Sequence, residues 1–360
     1  MKMNYQKSPY IKQIKADARK NGIPIYAVFE LTARCNFNCK MCYVHNSNNH
    51  GVLERELSTE AWKRIFDQAI SAGLLFALLT GGECLLRDDF EELYLYLHNR
   101  GVIVSINTNA YLLNEEKVKF FAEHRPERIQ ISMYGSNEDT YYYVTERRGG
   151  YTHFQAALSL LKHYELDVEI AVTPSKLMLQ DFKNIIEFLK DNKLSYKVNP
   201  ALIPPREGQD NSELFLSINE EVELARIQNS FRQESEPKPL EFVPKAGSKS
   251  GNAIEGMPCN AGTIRYVITY DGKMIPCTAV PEISADCTKN SLQECWEHIH
   301  KQMSKVLQPG ECQGCVYKTK CILCPAVRYN GLFSGVANKH VCELMEAKCK
   351  QGLIQTIPSP

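Results

Sequence analysis

The sequence predicts an α/β fold: an open, partial barrel of six βα units followed by a small cysteine-rich module. Three observations carry this. Between about Ile25 and Ser230, short apolar runs alternate with amphipathic segments, the rhythm of parallel strands joined by external helices. Six such units exceed a simple mononucleotide fold and fall short of a closed eight-unit barrel. Beyond an aperiodic stretch rich in Pro, Gly, Ser and Lys, from Ser235 to Pro258, the chain becomes dense in cysteine.

The six expected strands are 25–31, 76–80, 102–107, 128–132, 168–172 and 196–199, most of them rich in β-branched or aromatic residues. After the first strand, Ser58 is placed to cap a helix whose Trp62, Ile65, Phe66, Ala69 and Ile70 recur at helical spacing, with Gly73 closing it. Comparable helical patterns follow near 89–99, 114–123, 152–164, 180–191 and 219–233. In the last third, Thr263 to Thr269 alternates as a strand, Asp271-Gly272 supplies a hairpin turn, and Lys273 to Pro276 returns. A helix from Ser291 to about Leu307 then presents Leu292, Cys295, Trp296, Ile299 and Met303 on one face. The expected divisions are an extension at 1–23, the barrel at 24–234, a linker at 235–258, the cysteine module at 259–349 and a tail at 350–360. The basic residues Lys2, Lys7, Lys12, Lys15, Arg19 and Lys20 read as one solvated helix, the alternative being a surface that meets an acidic peptide.

Composition narrows the function. The 360 residues are 44% hydrophobic and 23% charged, enough to bury a sizeable core. Forty-two basic side chains balance 42 acidic ones, so the uniform positive field of a general nucleic-acid binder is absent. The N-terminus lacks an apolar signal core and no run of 18 apolar residues occurs, which predicts a cytoplasmic protein with no membrane span. In that reducing compartment, 14 cysteines point to metal or redox chemistry rather than to disulfides.

The first cysteine group is Cys35-Asn-Phe-Asn-Cys39-Lys-Met-Cys42, directly after the first strand. Structural zinc would need a fourth ligand, for which His45 and His50 are the nearby candidates. Three thiolates on an iron–sulfur cluster would leave one iron open to another ligand, the arrangement catalysis requires. Gly81-Gly82-Glu83 follows the second strand, Thr108 and Asn109 end the third, and Ser132 ends the fourth. All lie at the C-terminal ends of strands, where a parallel barrel gathers its functional groups.

With these residues in hand, the chain resembles the radical S-adenosylmethionine (SAM) superfamily, whose cluster motif is Cys-x3-Cys-x2-Cys at this place in a partial (β/α)6 TIM-like barrel. The resemblance implies a [4Fe–4S] cluster on Cys35, Cys39 and Cys42, whose open iron is chelated by SAM. It further implies SAM contacts from Tyr43, Gly81, Gly82, Glu83, Thr108, Asn109 and Ser132. The two glycines would let backbone approach the cofactor, and the Glu83 carboxylate would accept its ammonium. Arg147, or its neighbour Arg148, would pair with the SAM carboxylate. Cys84, next to Glu83, reads as a small packing residue or as one touching substrate.

The later cysteines, Cys259, Cys277, Cys312, Cys315, Cys321, Cys324 and Cys342, resemble the SPASM extension of peptide-modifying members. By that resemblance Cys312, Cys315, Cys321 and Cys342 hold one auxiliary [4Fe–4S] cluster, and Cys259, Cys277 and Cys324 a second. The fourth position of the second would fall to Cys287, Cys295 or Cys349, to another residue, or to substrate. Only two residues, Ile322 and Leu323, separate Cys321 from Cys324, where the family usually has three. Structural zinc is the alternative for the Cys312 to Cys342 set.

The resemblance implies reductive cleavage of SAM to a 5′-deoxyadenosyl radical that removes hydrogen from an unactivated C–H bond, the cofactor supplying the difficult chemistry. The expected substrate is a ribosomally made peptide, joined by a thioether or carbon–carbon crosslink. A flavodoxin- or ferredoxin-type protein would supply the electron. About 24 residues precede the first strand, too few for a leader-binding domain, which implies a separate recognition protein or a short substrate. The alternatives are an anaerobic sulfatase maturase, against which Thr278 stands where that family has a basic aspartate, and a small-molecule dehydrogenase. A noncatalytic iron–sulfur carrier or zinc-stapled binding protein would leave Gly81-Gly82-Glu83 and the barrel unexplained.

Overall fold

Strands form where β-branched and aromatic residues cluster, and they pair in chain order. The computed structural model describes residues 8–44, 50–199, 202–206, 210–231, 259–306, 309–312, 314–317, 320–321, 326 and 334–355. Strands β1 (Tyr26–Glu30), β2 (Phe76–Thr80), β3 (Ile103–Thr108), β4 (Arg128–Ser132), β5 (Val168–Val172) and β6 (Ser195–Val198) run parallel, each beside the next. All six expected strands are present. Between them lie α3 (Thr59–Ser71), α4 (Phe90–His98), α5 (Glu115–Glu123), α7 (Gly150–His163) and α8 (Phe182–Asp191), and α9 (Ile218–Ser230) follows β6. Two earlier helices are α1 (Pro9–Asn21) and the short α2 (His50–Leu53).

Helix α3 shows the local logic. The Ser58 hydroxyl accepts the backbone N–H of Ala61 at its N-terminus, and Trp62, Ile65, Phe66 and Ala69 are buried. Phe29 of β1 packs on Trp62 and Phe66, with ring centroids 5.9 and 4.8 Å away. Each large side chain buried there stabilises the barrel by about 1.5–3 kcal/mol.

Two departures from the sequence reading concern the sheet and its N-terminal end. The expected strand near Thr263 forms as β7 (Arg265–Ile268), and its hairpin partner as β8 (Lys273–Ile275). Strand β7 does not belong to a separate layer: it pairs in parallel with β1, Tyr26 opposite Arg265. With β9 (Ala285–Asp286) the sheet has nine strands in the order β6-β5-β4-β3-β2-β1-β7-β8-β9. Helix α10 (Leu292–Met303), opened by a capping box between Ser291 and Glu294, buries Trp296 against Tyr266 of β7. The expected linker at 235–258 lies outside the described residues.

Helix α1 is largely exposed, as a solvated helix is, but one edge packs at the N-terminal end of the sheet; Lys2 and Lys7 lie outside the described residues. Proline at its first turn and Gly22 at φ +65° bound it, and Ala18 is buried with Ile25, Phe76 and Ile264. The Lys15 ammonium lies 5.3 Å from the Tyr26 ring centre, and Arg19 donates to the carbonyl of Cys259 at 3.3 Å. At the other end of the chain, α11 (Lys339–Lys350) lies against α9, where Arg226 reaches Gln351 at 2.6 Å. Among the described residues no helix is long and apolar enough to cross a membrane.

Candidate active site

The loop after β1 leaves the sheet at Leu31 and is held from three sides before it presents its cysteines. First, Thr32 and Arg34 bond to the carboxylate of Glu56, Arg34 Nε at 3.1 Å. Arg87 lies against the same carboxylate at 3.8 Å, grips Asp89 with two bonds of 2.7 Å and donates to the carbonyl of Leu31 at 3.1 Å. Second, the Gly81-Gly82 backbone runs directly against the loop: Gly82 N–H donates to Thr32 O at 2.7 Å and Glu83 N–H to Arg34 O at 2.8 Å. A Cβ on Gly82 would stand 2.4 Å from Arg34 O, and one on Gly81 2.3 Å from Thr32 O. The glycines are therefore required by the approach of cysteine-loop backbone.

The third hold is a helix that periodicity did not predict, α6 (Glu138–Thr145), capped by the Asn137 side chain. Its last carbonyls, Val144 and Thr145, accept the N–H groups of Lys40 and Asn38 at 3.1 and 3.0 Å. Phe37 is buried among Tyr111, Tyr134 and Tyr141, with centroids 5.7, 6.0 and 6.4 Å away. The sequence signal was the run Tyr141-Tyr142-Tyr143 behind an Asn cap, too short for a clear period.

Cys35, Cys39 and Cys42 open together on one cavity of about 680 Å³ at the C-terminal ends of the strands. Tyr43, Gly81, Gly82, Thr108, Asn109 and Ser132 line it as well. Burial, helped by the charge of Glu83, pushes the Cys35 thiol up to about 12, against the N–H of Phe37 3.4 Å from its Sγ. Burial and the neighbouring Cys42 and Cys35 raise Cys39. Three thiols crowded in a dry loop suit a site where a cationic metal cluster replaces their protons. Asn36 Nδ2, on the residue between Cys35 and Phe37, is buried with no hydrogen-bond partner among the described residues, a polar group left for a ligand of the loop to satisfy. On these grounds the residues fit the cluster. Among the described residues no three His, Cys, Asp or Glu side chains close on a single-ion position.

Several expected contacts fall elsewhere. Glu83 is 1% exposed and lies behind the cavity wall. Its carboxylate accepts the Asn109 N–H at 2.7 Å, the Thr108 hydroxyl at 2.8 Å and the Leu85 N–H at 3.1 Å. In this structure it ties the ends of β2 and β3 together. Burial raises its pKa, and these three bonds oppose that rise. Arg147 does not line the cavity either; its guanidinium covers the Tyr111 ring at 4.4 Å. The Tyr43 hydroxyl turns to Glu30 at 3.3 Å. Glu30, 1% exposed, is gripped by Arg206 with bonds of 2.6 and 2.7 Å, a pair the sequence did not signal because 176 positions separate the partners. Cys84 is fully buried, its thiol 3.4 Å from the carbonyl of Asn107, as a packing residue.

Of the later cysteines, Cys277 lines the same cavity as the N-terminal three. Cys312 is buried. Cys321 packs with Val341 and Met345 of α11, the helix that carries Cys342 and Cys349. Cys259 precedes β7, and Cys315 lies near the phenol of Tyr317, as does Cys349. Cys287 and Cys295 are free thiols that share a hydrogen bond in the core. Cys324 and His45 lie outside the described residues, as does the side chain of His50.

The description Radical SAM superfamily matches residues 29–189. The chain is 26% identical over 331 residues to the AdoMet-dependent heme synthase of Methanosarcina barkeri, spanning 85% of this chain and 92% of that one. It is 25% identical over 283 residues to the PqqA peptide cyclase of Rhizobium meliloti, 76% of this chain and 73% of that one. The crystal structure of Streptococcus suis SuiB bound to S-adenosylmethionine shares the fold, with a TM-score of 0.65 at 15% identity over 93% of this chain and 81% of that one. With its cysteine loop at the mouth of a parallel half-barrel, the stretch 29–189 is a radical SAM domain, the domain of a superfamily of enzymes that use SAM and a [4Fe–4S] cluster.

Proposed function

We propose that this enzyme modifies a peptide, removing hydrogen from a C–H bond held in the 680 Å³ cavity and closing a thioether or carbon–carbon crosslink. Cys35, Cys39 and Cys42 would hold the cluster, and Gly81, Gly82, Thr108, Asn109 and Ser132 would border SAM. When bound, the cluster and SAM supply one electron and a 5′-deoxyadenosyl radical. The protein's part is to hold the target carbon close and keep water away. The observation that carries the reading is Cys277, which brings a thiol from the C-terminal segment onto the cavity of the N-terminal trio. It supports an auxiliary cluster, or a ligated substrate sulfur, within reach of the reacting carbon. Cys259 and Cys324 would share that cluster, and Cys312, Cys315, Cys321 and Cys342 would hold the other. Thr278, which also lines the cavity, offers no carboxylate base of the sulfatase-maturase kind. The proposed partners are a separate leader-recognition protein and a flavodoxin- or ferredoxin-type reductant.

A second reading rests on one observation, the alignment with a heme synthase over 85% of the chain: the substrate is a tetrapyrrole. Anaerobic reconstitution with iron and sulfide, then SAM and dithionite, is expected to give 5′-deoxyadenosine in the wild type and none in Cys39→Ala. Adding short peptides encoded beside the enzyme is expected to yield a product lighter by about two hydrogens, read by mass spectrometry. Wild type that carries its clusters yet makes no 5′-deoxyadenosine removes the proposal.

A further inference from the structure

The interior of a parallel barrel is ordinarily filled with branched apolar side chains. Here the inward positions of several strands are charged. Arg128 of β4, Lys197 of β6 and Arg265 of β7 all line the cavity, together with Lys15 of α1 and Glu127. Strands β6 and β7 are six places apart in the sheet order, yet the charges of Arg265 and Arg128 act on the Lys197 ammonium. The curved sheet therefore brings its two flanks face to face across the open interior.

Pairing these charges leaves a surplus. Arg128 is met by Glu169 at 3.0 Å, and Glu169 also accepts from Gln130 at 2.5 Å. Lys15 is answered by the charge of Glu127, which accepts from Ser105 at 3.1 Å. Among the described residues no hydrogen bond or ion pair engages the side chain of Lys197 or of Arg265. Both side chains are exposed to this open interior, and desolvation along the cavity wall lowers the Lys197 pKa. The charge of Glu169 acts on Lys197 as well as on Arg128, so two carboxylates, Glu127 and Glu169, face four cations, and the surplus cations repel unless an anion joins them.

We infer that the substrate carries a carboxylate, and that Lys197 and Arg265 receive it from opposite flanks of the barrel interior. The inference rests on the reading that substrate occupies this cavity. Carboxylates come from Glu or Asp in a peptide or from the propionates of a tetrapyrrole, and charge-assisted bonds to a lysine and an arginine serve both. Lys197 stands level with Ala171, opposite it in the register, near the C-terminal end of the strands. Arg265 stands level with Tyr26 at the other end. A ligand spanning both would extend along the barrel from the cysteine loop toward α1.

The test uses the reconstituted full chain under anaerobic conditions. Two probe pairs are titrated calorimetrically: a blocked pentapeptide with two Glu against its Gln counterpart, and a porphyrin bearing free propionates against its amide. The wild type is expected to prefer the carboxylate member of one pair by about tenfold or more. In Lys197→Gln/Arg265→Gln the preference should fall to about twofold or less, and in Lys197→Arg it should persist. Preference in the peptide pair assigns the carboxylate to a peptide, and preference in the porphyrin pair to a tetrapyrrole. No preference in either pair, or a preference intact in the double variant, overturns the inference. If circular dichroism shows the double variant unfolded, Arg265→Gln, at an exposed side chain, carries the same comparison. The wild type's 5′-deoxyadenosine yield reports separately on the parent reading: product without carboxylate preference sinks this inference alone.

Discussion

The backbone N–H of Asn109 donates to Oε2 of Glu83 at 2.7 Å, and through that bond the end of β3 is tied to the turn that follows β2. Oε1 of the same carboxylate holds Thr108 and Leu85. An acid next to two glycines at the cavity rim thus acts as a buried clamp, and the clamp sets where Asn109 stands. The Asn109 amide in turn donates to Asn36 at 2.7 Å and lies 3.7 Å from the Cys35 sulfur.

Removing the clamp should therefore cost stability and cluster together. Glu83→Ala leaves two backbone N–H groups and a hydroxyl buried without partners, expected to lower unfolding free energy by about 2–4 kcal/mol. Glu83→Gln, which can still accept on one oxygen, should fall between that variant and wild type. Urea unfolding and iron analysis of the reconstituted proteins measure both effects; wild-type stability and iron in Glu83→Ala would contradict the clamp.

A methyl group on Gly82 meets the Arg34 and Ala33 carbonyl oxygens at 2.4 and 2.6 Å, and backbone cannot move aside as a side chain can. Gly82→Ala is expected to destabilise the fold by about 1–3 kcal/mol. It should also displace the cysteine loop, so that iron bound per chain falls, whereas Gly101→Ala, with open space at its Cβ but a backbone φ of +80°, should cost stability and leave the iron loading of the folded protein unchanged.

The Glu30–Arg206 pair is buried at the end of β1, the Arg206 side chain 14% and that of Glu30 1% exposed. Arg206→Met leaves a lone buried carboxylate, which should cost about 3–5 kcal/mol. Adding Glu30→Gln should recover most of that loss. A double-mutant cycle in urea that came out additive would show the two residues to be uncoupled.

Asp89 supplies a pH signature. Burial acts to raise its carboxyl, but the bonds from Arg87 and Thr59 prevail and hold it below the ordinary aspartate range. A depressed folded pKa contributes stability above the unfolded value, about 3.9, and loses it as pH falls through the folded value. Asp89→Asn should thus be less stable than wild type by about 1–3 kcal/mol at neutral pH. That difference should shrink steadily below about pH 4. A gap unchanged from pH 7 to pH 3 would rule the pairing out.

The sequence by itself determined the six parallel strands, their helices, the hairpin near Asp271 and the cysteine loop after β1. Those features are written in local periods, caps and close spacings, which a stretch of ten or fifteen residues contains whole. Tertiary structure alone decided that β7 extends the sheet beside β1, that Ala18 of α1 packs at the N-terminal end of that sheet, and that Glu83 faces Thr108 and Asn109. It also joined Glu30 to Arg206, and brought Lys197 and Arg265 across one cavity. Each of these depends on which residues meet after the sheet curves, over separations that no local pattern records, and charge and hydrogen-bond complementarity are settled only at that meeting.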